Sequence, residues 1–167
     1  MVAFRAGNAI KVLILGMGSI LVAATVPSAA MTVDFGGEAE ARKDGRVVLA
    51  LEIRSDVPLR EVRLETGSRF PLVLHGARLD KKLRWRAVPQ GPRRLRLAPR
   101  PDGPLLKALD VSVSFRGKPG VDPLKVFRTG GRDPRPSFTV IAVGEDGREE
   151  RVRVSLPYMP RLGVSHE

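Results

Sequence analysis

The chain has 167 residues, of which 43% are hydrophobic and 28% are charged, a composition typical of one folded domain and not of a disordered protein. It contains no cysteine, which excludes disulfides, thiol catalysis, cysteine-ligated zinc and a lipidated N-terminal cysteine. Its formal net charge of +11 favours anionic partners without indicating which kind. The 17 glycines and 14 prolines exceed average usage, so we expect many turns between short strands.

Residues 1–30 have the three parts of a secretory signal peptide. Two cations come first, the apolar run 12–26 follows, and small residues stand at Ser28 and Ala30. We expect cleavage before Met31, which predicts a periplasmic or secreted protein without a membrane span. The alternative is that the segment stays uncleaved as an anchor, although its apolar run is short against the roughly 20 residues that span a bilayer.

Beyond residue 30, apolar and polar residues alternate with a period of two, which is typical of half-buried strands. The expected strands are 33–35, 46–54, 59–65, 70–74, 83–88, 93–97, 111–115, 124–127, 138–143 and 148–156. Short strands at this spacing predict an all-β, immunoglobulin-like antiparallel β-sandwich over residues 31–157, followed by a flexible C-terminal tail over 158–167.

Two segments depart from simple alternation. Residues 70–74 are apolar throughout, apart from the proline, which predicts a central strand covered on both faces. Residues 105–110, with the sequence LLKALD, predict a short helical turn.

The most basic segment is 81–100, which we call the basic hairpin. It holds eight lysines and arginines and no acidic residue, and a turn at 89–92 joins its two expected strands. Apolar residues such as Trp85 and Leu95 fall on one face and arginines on the other. The candidate binding residues, called the basic face below, are Lys81, Lys82, Arg84, Arg86, Arg93, Arg94 and Arg96.

The basic face has two interpretations, which the sequence leaves open. Guanidinium forks are suited to carboxylate, phosphate or sulfate groups, which favours a binding surface. Alternatively, outward arginines keep a sandwich soluble and blunt its edge strands without any ligand.

Candidates for catalysis are few. The chain has two histidines, His75 and His166, and no nucleophile-elbow or zinc-protease motif. A small hydrolase would have to combine His75 with Asp80 and Ser68, which are near it only in sequence. We expect no enzyme activity, no cofactor and no metal site.

The sequence GRVV that begins at Gly45 and the closing segment GEDGREERVRV resemble, in strand pattern, the two sandwich subunits of periplasmic sulfur-oxidation carriers. More broadly, the layout resembles immunoglobulin-like modules of bacterial envelope proteins. This resemblance implies an exported sandwich. It implies no carrier role, because the glycine-flanked cysteine tail of those carriers is absent.

These observations predict an exported, non-catalytic binding or accessory module that docks on an acidic protein partner or an anionic envelope polymer through its basic face. One alternative is a structural or assembly protein that adds a strand to its partner at an open sheet edge. The other is the hydrolase around His75. Nucleic acid is disfavoured, because export removes most of it from reach and the aromatic content is only 5%.

Overall fold

The computed structural model describes residues 11–15, 19–23, 31–129 and 135–162, the first two ranges and residues 37 and 38 by their backbone alone. The chain divides into two compact units, Met1–Ala30 and Met31–Glu167. In the first unit, β1 (Lys11–Leu15) pairs antiparallel with β2 (Ser19–Ala23). Within the described ranges, no helix is long and apolar enough to cross a membrane. The signal peptide, with its cleavage before Met31, stays a prediction.

In the second unit the described residues form eight strands, one short α-helix and one 3₁₀ helix. In chain order they are β3 (Met31–Ala41), β4 (Arg46–Thr66), β5 (Leu72–Leu79), the 3₁₀ helix Lys81–Leu83, β6 (Trp85–Pro89), β7 (Arg94–Pro99), β8 (Leu106–Gly117), α1 (Pro123–Arg128), β9 (Ser137–Gly144) and β10 (Glu149–Ser155).

The strand β4 organises the fold because its 21 residues belong to two layers. Residues 46–54 lie between β3 and β8, and β5 pairs with β8; we call β3-β4-β8-β5 the first layer. Residues 59–66 lie between β9 and β7; we call β10-β9-β4-β7-β6 the second layer. All of these pairings are antiparallel. The register shifts between Arg54 and Leu59, where the strand passes from one layer to the other.

The core lies between the two layers and follows from the two-residue period. Val47, Leu49, Leu51 and Ile53 of β4 are all buried, and so are alternate residues of β7 and β9 in the facing layer, namely Leu95, Leu97, Phe138, Val140 and Ala142. Three phenylalanines connect the layers across this core: the ring centroids of Phe70, Phe115 and Phe138 lie 5.8–6.2 Å apart in tilted or edge-on pairs.

These two layers confirm the prediction of an all-β, immunoglobulin-like antiparallel β-sandwich. Two of the predicted elements are wrong in type. Residues 105–110, expected as a helical turn, lie mainly in β8, where Leu109 is buried opposite Ile53. Residues 124–127, expected as a strand, lie in α1, because the Asp122 carboxylate accepts a hydrogen bond from the Leu124 amide at 3.0 Å and caps the helix.

The prediction of a central strand over residues 70–74 is also wrong. β5 begins at Leu72 and pairs, among the described residues, with β8 alone, so it is an edge strand. Phe70 and Leu72 are buried because they point into the core between the layers, and not because the strand is covered on both faces.

The C-terminal segment begins with a docked turn. The Met159 amide donates to the Phe127 carbonyl of α1 at 2.8 Å, and Leu162 is buried, only 7% exposed. The guanidinium of Arg128 also donates to the Leu162 carbonyl. Residues 163–167 lie outside the described residues, so for them the flexible tail stays a prediction.

Candidate functional site

The first part of the basic hairpin differs from the predicted strand. The Asp80 carboxylate accepts from the Lys82 amide at 2.9 Å and begins the 3₁₀ helix, and Arg84 ends it with a left-handed φ of 55°. The strand therefore begins at Trp85 and not at Leu83, and Arg84 lies at a helix end instead of in a row with Arg86. This left-handed turn also brings the Arg84 guanidinium against the Asp102 carboxylate as an ion pair.

The rest of the hairpin follows the predicted alternation. Trp85, Leu95 and Leu97 are buried, and the Trp85 indole donates to the Pro104 carbonyl at 2.9 Å. Arg86 and the other arginines of β6 and β7 point away from the core. The paired registers of β6, β7 and β4 thus place these arginines on the outer face of the second layer.

Acidic residues of β4 and β10 neutralise part of that outer face. Arg96 Nε lies 2.7 Å from Glu61 Oε2, and Arg63 Nε lies 3.3 Å from Glu61 Oε1. Arg63 also pairs with Glu149, and Arg151 Nη2 lies 3.5 Å from Glu149 Oε2. We call this chain of five residues the charge lattice. Single exposed ion pairs stabilise a protein by about 0–1 kcal/mol, and networks are the favourable case.

The charge lattice also covers apolar side chains that point outward. Ile141 lies directly opposite Arg63 on one side and Arg151 on the other, and it is only 1% exposed. Val143, opposite Glu61, is likewise buried. The aliphatic stems of long charged side chains can cover such surface while their heads remain in water. The lattice is therefore part of the packing of the second layer as well as of its charge.

Four cations of the basic face remain without an acidic partner among the described residues. They are Lys81, Lys82, Arg86 and Arg93, and all four are exposed. We call them the hairpin rim. Arg94 is intermediate, because its Nε lies 3.8 Å from Glu65 Oε1 and its side chain is 67% exposed.

Sequence reasoning missed the acids that pair with the basic face. Glu61 and Glu65 are far from β7 in sequence, and only the antiparallel register of β4 with β7 brings them beside Arg96 and Arg94. The available signal was the alternation in residues 59–65, which places the acids on an outer face but does not identify the neighbouring strand.

The structure does not assemble a hydrolytic site around His75. This residue is exposed at a bulge in β5, and the Asp80 carboxylate is engaged at the start of the 3₁₀ helix. No hydrogen bond between described side chains joins His75 to Asp80 or Ser68. Desolvation, followed by the positive charges of Arg116 and Arg46, lowers the pKa of His75, against the opposing effect of Asp44. The described residues also contain no group of three or more potential metal ligands.

Comparisons with known proteins indicate similarity at a low level. No protein-family model matches the sequence, and no curated protein matches it either. The chain is similar to the cohesin module of a Clostridium perfringens family 33 glycoside hydrolase, with 10% identity, a TM-score of 0.41, and coverage of 78% of this chain and 98% of the module.

Two further structures are similar at comparable or lower levels. An uncharacterised Nocardia farcinica protein with an immunoglobulin-like fold has 15% identity and a TM-score of 0.40, over 76% of this chain and 97% of that one. The collagen-binding domain of the Erysipelothrix rhusiopathiae surface protein RspB has 12% identity and a TM-score of 0.32, over 89% of this chain and 55% of that one. At these values, the similarities carry no information about the function of this chain.

Proposed function

We propose that the protein is an exported, non-catalytic binding module that docks on an acidic protein partner or an anionic envelope polymer. The observation that carries this proposal is the hairpin rim. Its four cations, Lys81, Lys82, Arg86 and Arg93, are exposed and have no acidic partner among the described residues. A cleaved signal peptide over residues 1–30 would deliver the module to the periplasm or the outside of the cell.

The rim is favoured over the rest of the basic face for an energetic reason. An incoming carboxylate that pairs with Arg96 must compete with Glu61 at 2.7 Å, and one that pairs with Arg84 must compete with Asp102. A carboxylate that pairs with Arg86 or Arg93 displaces only water. The gain from charge-assisted, bidentate hydrogen bonds is therefore largest at the rim.

Reversing the charge of the rim tests the proposal. The full chain and its Arg86→Glu, Arg93→Glu double variant are compared for binding to poly-L-glutamate and to an anionic polysaccharide across a series of salt concentrations. We expect the double variant to bind at least tenfold more weakly, because two attractive contacts become repulsive. Exposed charge contacts are screened over about 8–10 Å at physiological salt. Because the double variant has fewer attractive contacts to screen, its affinity should also depend less steeply on salt concentration.

The matched control is the double variant Arg151→Glu, Arg153→Glu, which makes the same change in net charge at two exposed arginines of β10, at the opposite edge of the second layer. It should bind within about twofold of the unmodified chain. Fluorescence of Trp85, buried beneath the rim, reports whether each variant is folded. Equal binding by all three proteins, or binding that does not change with salt, would contradict the proposal.

Strand addition at the sheet edge next to the rim finds less support. The exposed edge of the second layer next to the rim is β6, which has only five residues. It begins directly after Arg84, with its left-handed φ, and it ends at Pro89, which has no amide hydrogen to donate. Short length, charge and proline are the features that protect an edge strand from pairing with another chain.

A further inference from the structure

The outer face of the first layer carries a concavity of about 580 Å³. Its floor consists of small side chains from β4 and β8, namely Val48, Ala50, Ser112 and Ser114. Val48 lies opposite Ser114 and Ala50 opposite Ser112, so the four form one continuous patch. The volume falls within the range of about 300–1,000 Å³ that is usual for small-molecule sites.

Arginines stand on both sides of this floor. Arg42 and Arg46 line one side, and each has a local acidic partner: Glu40 at 2.7 Å for Arg42, and Asp44 for Arg46. Arg78 of β5 lines the other side, is exposed, and has no acidic partner among the described residues. Among the arginines that line the concavity, Arg78 is therefore free to bind an anion, whereas the charges of Arg42 and Arg46 are partly balanced by acids.

His75 lies on the same side as Arg78 and responds to the local charge. Its pKa is lowered by desolvation and then by Arg116 and Arg46, while Asp44 acts in the opposite direction. Arginines outweighing the nearby acid in this way indicate a positive potential at the wall of the concavity.

The floor contains an unsatisfied polar atom. The Ser114 hydroxyl oxygen is buried and has no hydrogen-bond partner in the structure, although the residue as a whole is only half-buried. A buried hydroxyl without a partner is costly. Because Ser114 lines the concavity, an oxygen of a molecule bound there would supply the missing partner.

We propose that this concavity binds a sugar-sized molecule that carries one oxyanion group. The oxyanion, a carboxylate or a phosphate ester, accepts hydrogen bonds from the free Arg78 guanidinium, and the hydroxyl-bearing body lies on the floor formed by Ala50, Ser112 and Ser114. A bare ion fits less well, because it would fill only a small part of the volume and leave the serines without a contact. The site lies on the first layer, whereas Arg86 and Arg93 of the hairpin rim lie at β6 and β7 of the second layer; Lys81 and Lys82 lie in the 3₁₀ helix between β5 and β6.

The His75 imidazole provides a direct readout of this binding. The full chain is titrated with D-galacturonate and with D-galactose 1-phosphate while the His75 ring protons are followed by NMR across pH, the signal being assigned by its loss in His75→Gln. We expect saturable binding that raises the pKa of His75, because a bound anion stabilises the imidazolium. Binding of one compound and not the other identifies the oxyanion. Neutral D-galactose and acetate should each bind at least tenfold more weakly than the better anionic sugar.

Two variants separate the oxyanion contact from the floor. Arg78→Gln should weaken anionic sugar binding at least tenfold, and Ser112→Leu should do the same by filling the floor without changing the charge. Arg86→Gln, in the hairpin rim, is the matched control and should leave the affinity within twofold. Unchanged affinity in Arg78→Gln and Ser112→Leu, acetate binding as tightly as the anionic sugars, or no response of His75 to either compound would each overturn the proposal.

Discussion

Arg135 connects the C-terminal segment to the end of α1 through four backbone carbonyl groups. Its Nε donates to the Leu156 carbonyl at 2.7 Å and its Nη2 to the Pro157 carbonyl at 2.9 Å. On the other side, Nη1 donates to Thr129 at 3.0 Å and Nη2 to Val126 at 3.3 Å. The Val126 carbonyl is one of the acceptors that a helix leaves without a partner at its C-terminus. We therefore expect the substitution Arg135→Ala to destabilise the fold.

The size of the effect follows from these contacts. A hydrogen bond to a charged group contributes about 1.5–3 kcal/mol, but the four share one half-buried side chain, and water replaces those at its exposed edge. The guanidinium carbon also lies 5.9 Å from the centroid of the Tyr158 ring, a contact worth about 0.5–1 kcal/mol at an exposed site. We expect Arg135→Ala to lower the free energy of unfolding by about 2–4 kcal/mol, the net equivalent of one or two charged hydrogen bonds.

Urea denaturation followed by Trp85 fluorescence measures this difference. The free energy of unfolding of Arg135→Lys should lie between those of the unmodified chain and Arg135→Ala. An ammonium keeps the charge but cannot reach four carbonyls in the planar geometry of the guanidinium. The matched control is Arg153→Ala, which removes an exposed arginine whose one described hydrogen bond goes to the Ser137 hydroxyl at 2.6 Å; it should change stability by less than about 0.5 kcal/mol. If Arg135→Ala is as stable as Arg153→Ala, the four carbonyl contacts do not stabilise the C-terminal segment and the reasoning is wrong.

Two further predictions concern the first layer. The substitution Gly117→Ala should destabilise the fold by about 2–4 kcal/mol in the same urea assay, because the added Cβ would overlap the Val121 carbonyl oxygen, whereas Gly67→Ala has open space and should be nearly neutral. Stability should fall as the pH is lowered from 7 to 5: the pKa of His75 is lower in the folded state, so the unfolded chain takes up its proton first, once the pH falls through the ordinary value of 6.5. The variant His75→Gln should remove this part of the pH dependence, and a dependence unchanged by that substitution would contradict the assignment. Desolvation acts to raise the pKa of Asp44, but hydrogen bonds from Arg46 lower it overall. The stability that Asp44 contributes is therefore retained at pH 5 and is lost only as the pH falls below the ordinary pKa of 3.8.

The two-residue period predicted most of the fold because burial in a sandwich depends on which face a side chain occupies. In β4, β7 and β10, the inward residues were identified from local sequence alone, and Val47, Leu95 and Val154 are buried as expected. The period does not tell whether a polar interruption ends a strand or bends it. The sequence predicted two separate strands, 46–54 and 59–65, whereas β4 continues through Ser55 and Asp56 and changes layer there.

The elements that were predicted wrongly are those in which local preference and tertiary context disagree. Leucine, lysine and alanine favour a helix in residues 105–110, but pairing of Leu109 with Ile53 buries the leucine and holds the segment in β8. In residues 124–127 the apolar pattern suited a short strand, while the Asp122 cap and Pro123 in the first turn favoured α1. A cap contributes a local hydrogen bond that a periodicity count does not include.

The charge of the basic face shows why sign and position alone do not define a binding surface. Arg63 and Arg96 lie directly opposite each other across β4 and β7, an arrangement that is unfavourable for like charges. Glu61 pairs with both arginines, so their positive charge is partly neutralised. The electrostatic potential of this part of the face depends on the alternation of acids with arginines, and not on the excess of arginine. Within the basic face, the positive charge available to a partner therefore lies where no described acid pairs with it, at the hairpin rim. In the first layer, Arg78 is likewise exposed and has no acidic partner among the described residues. A pattern of basic residues predicts an anion-binding surface only after the acids on neighbouring strands have been located.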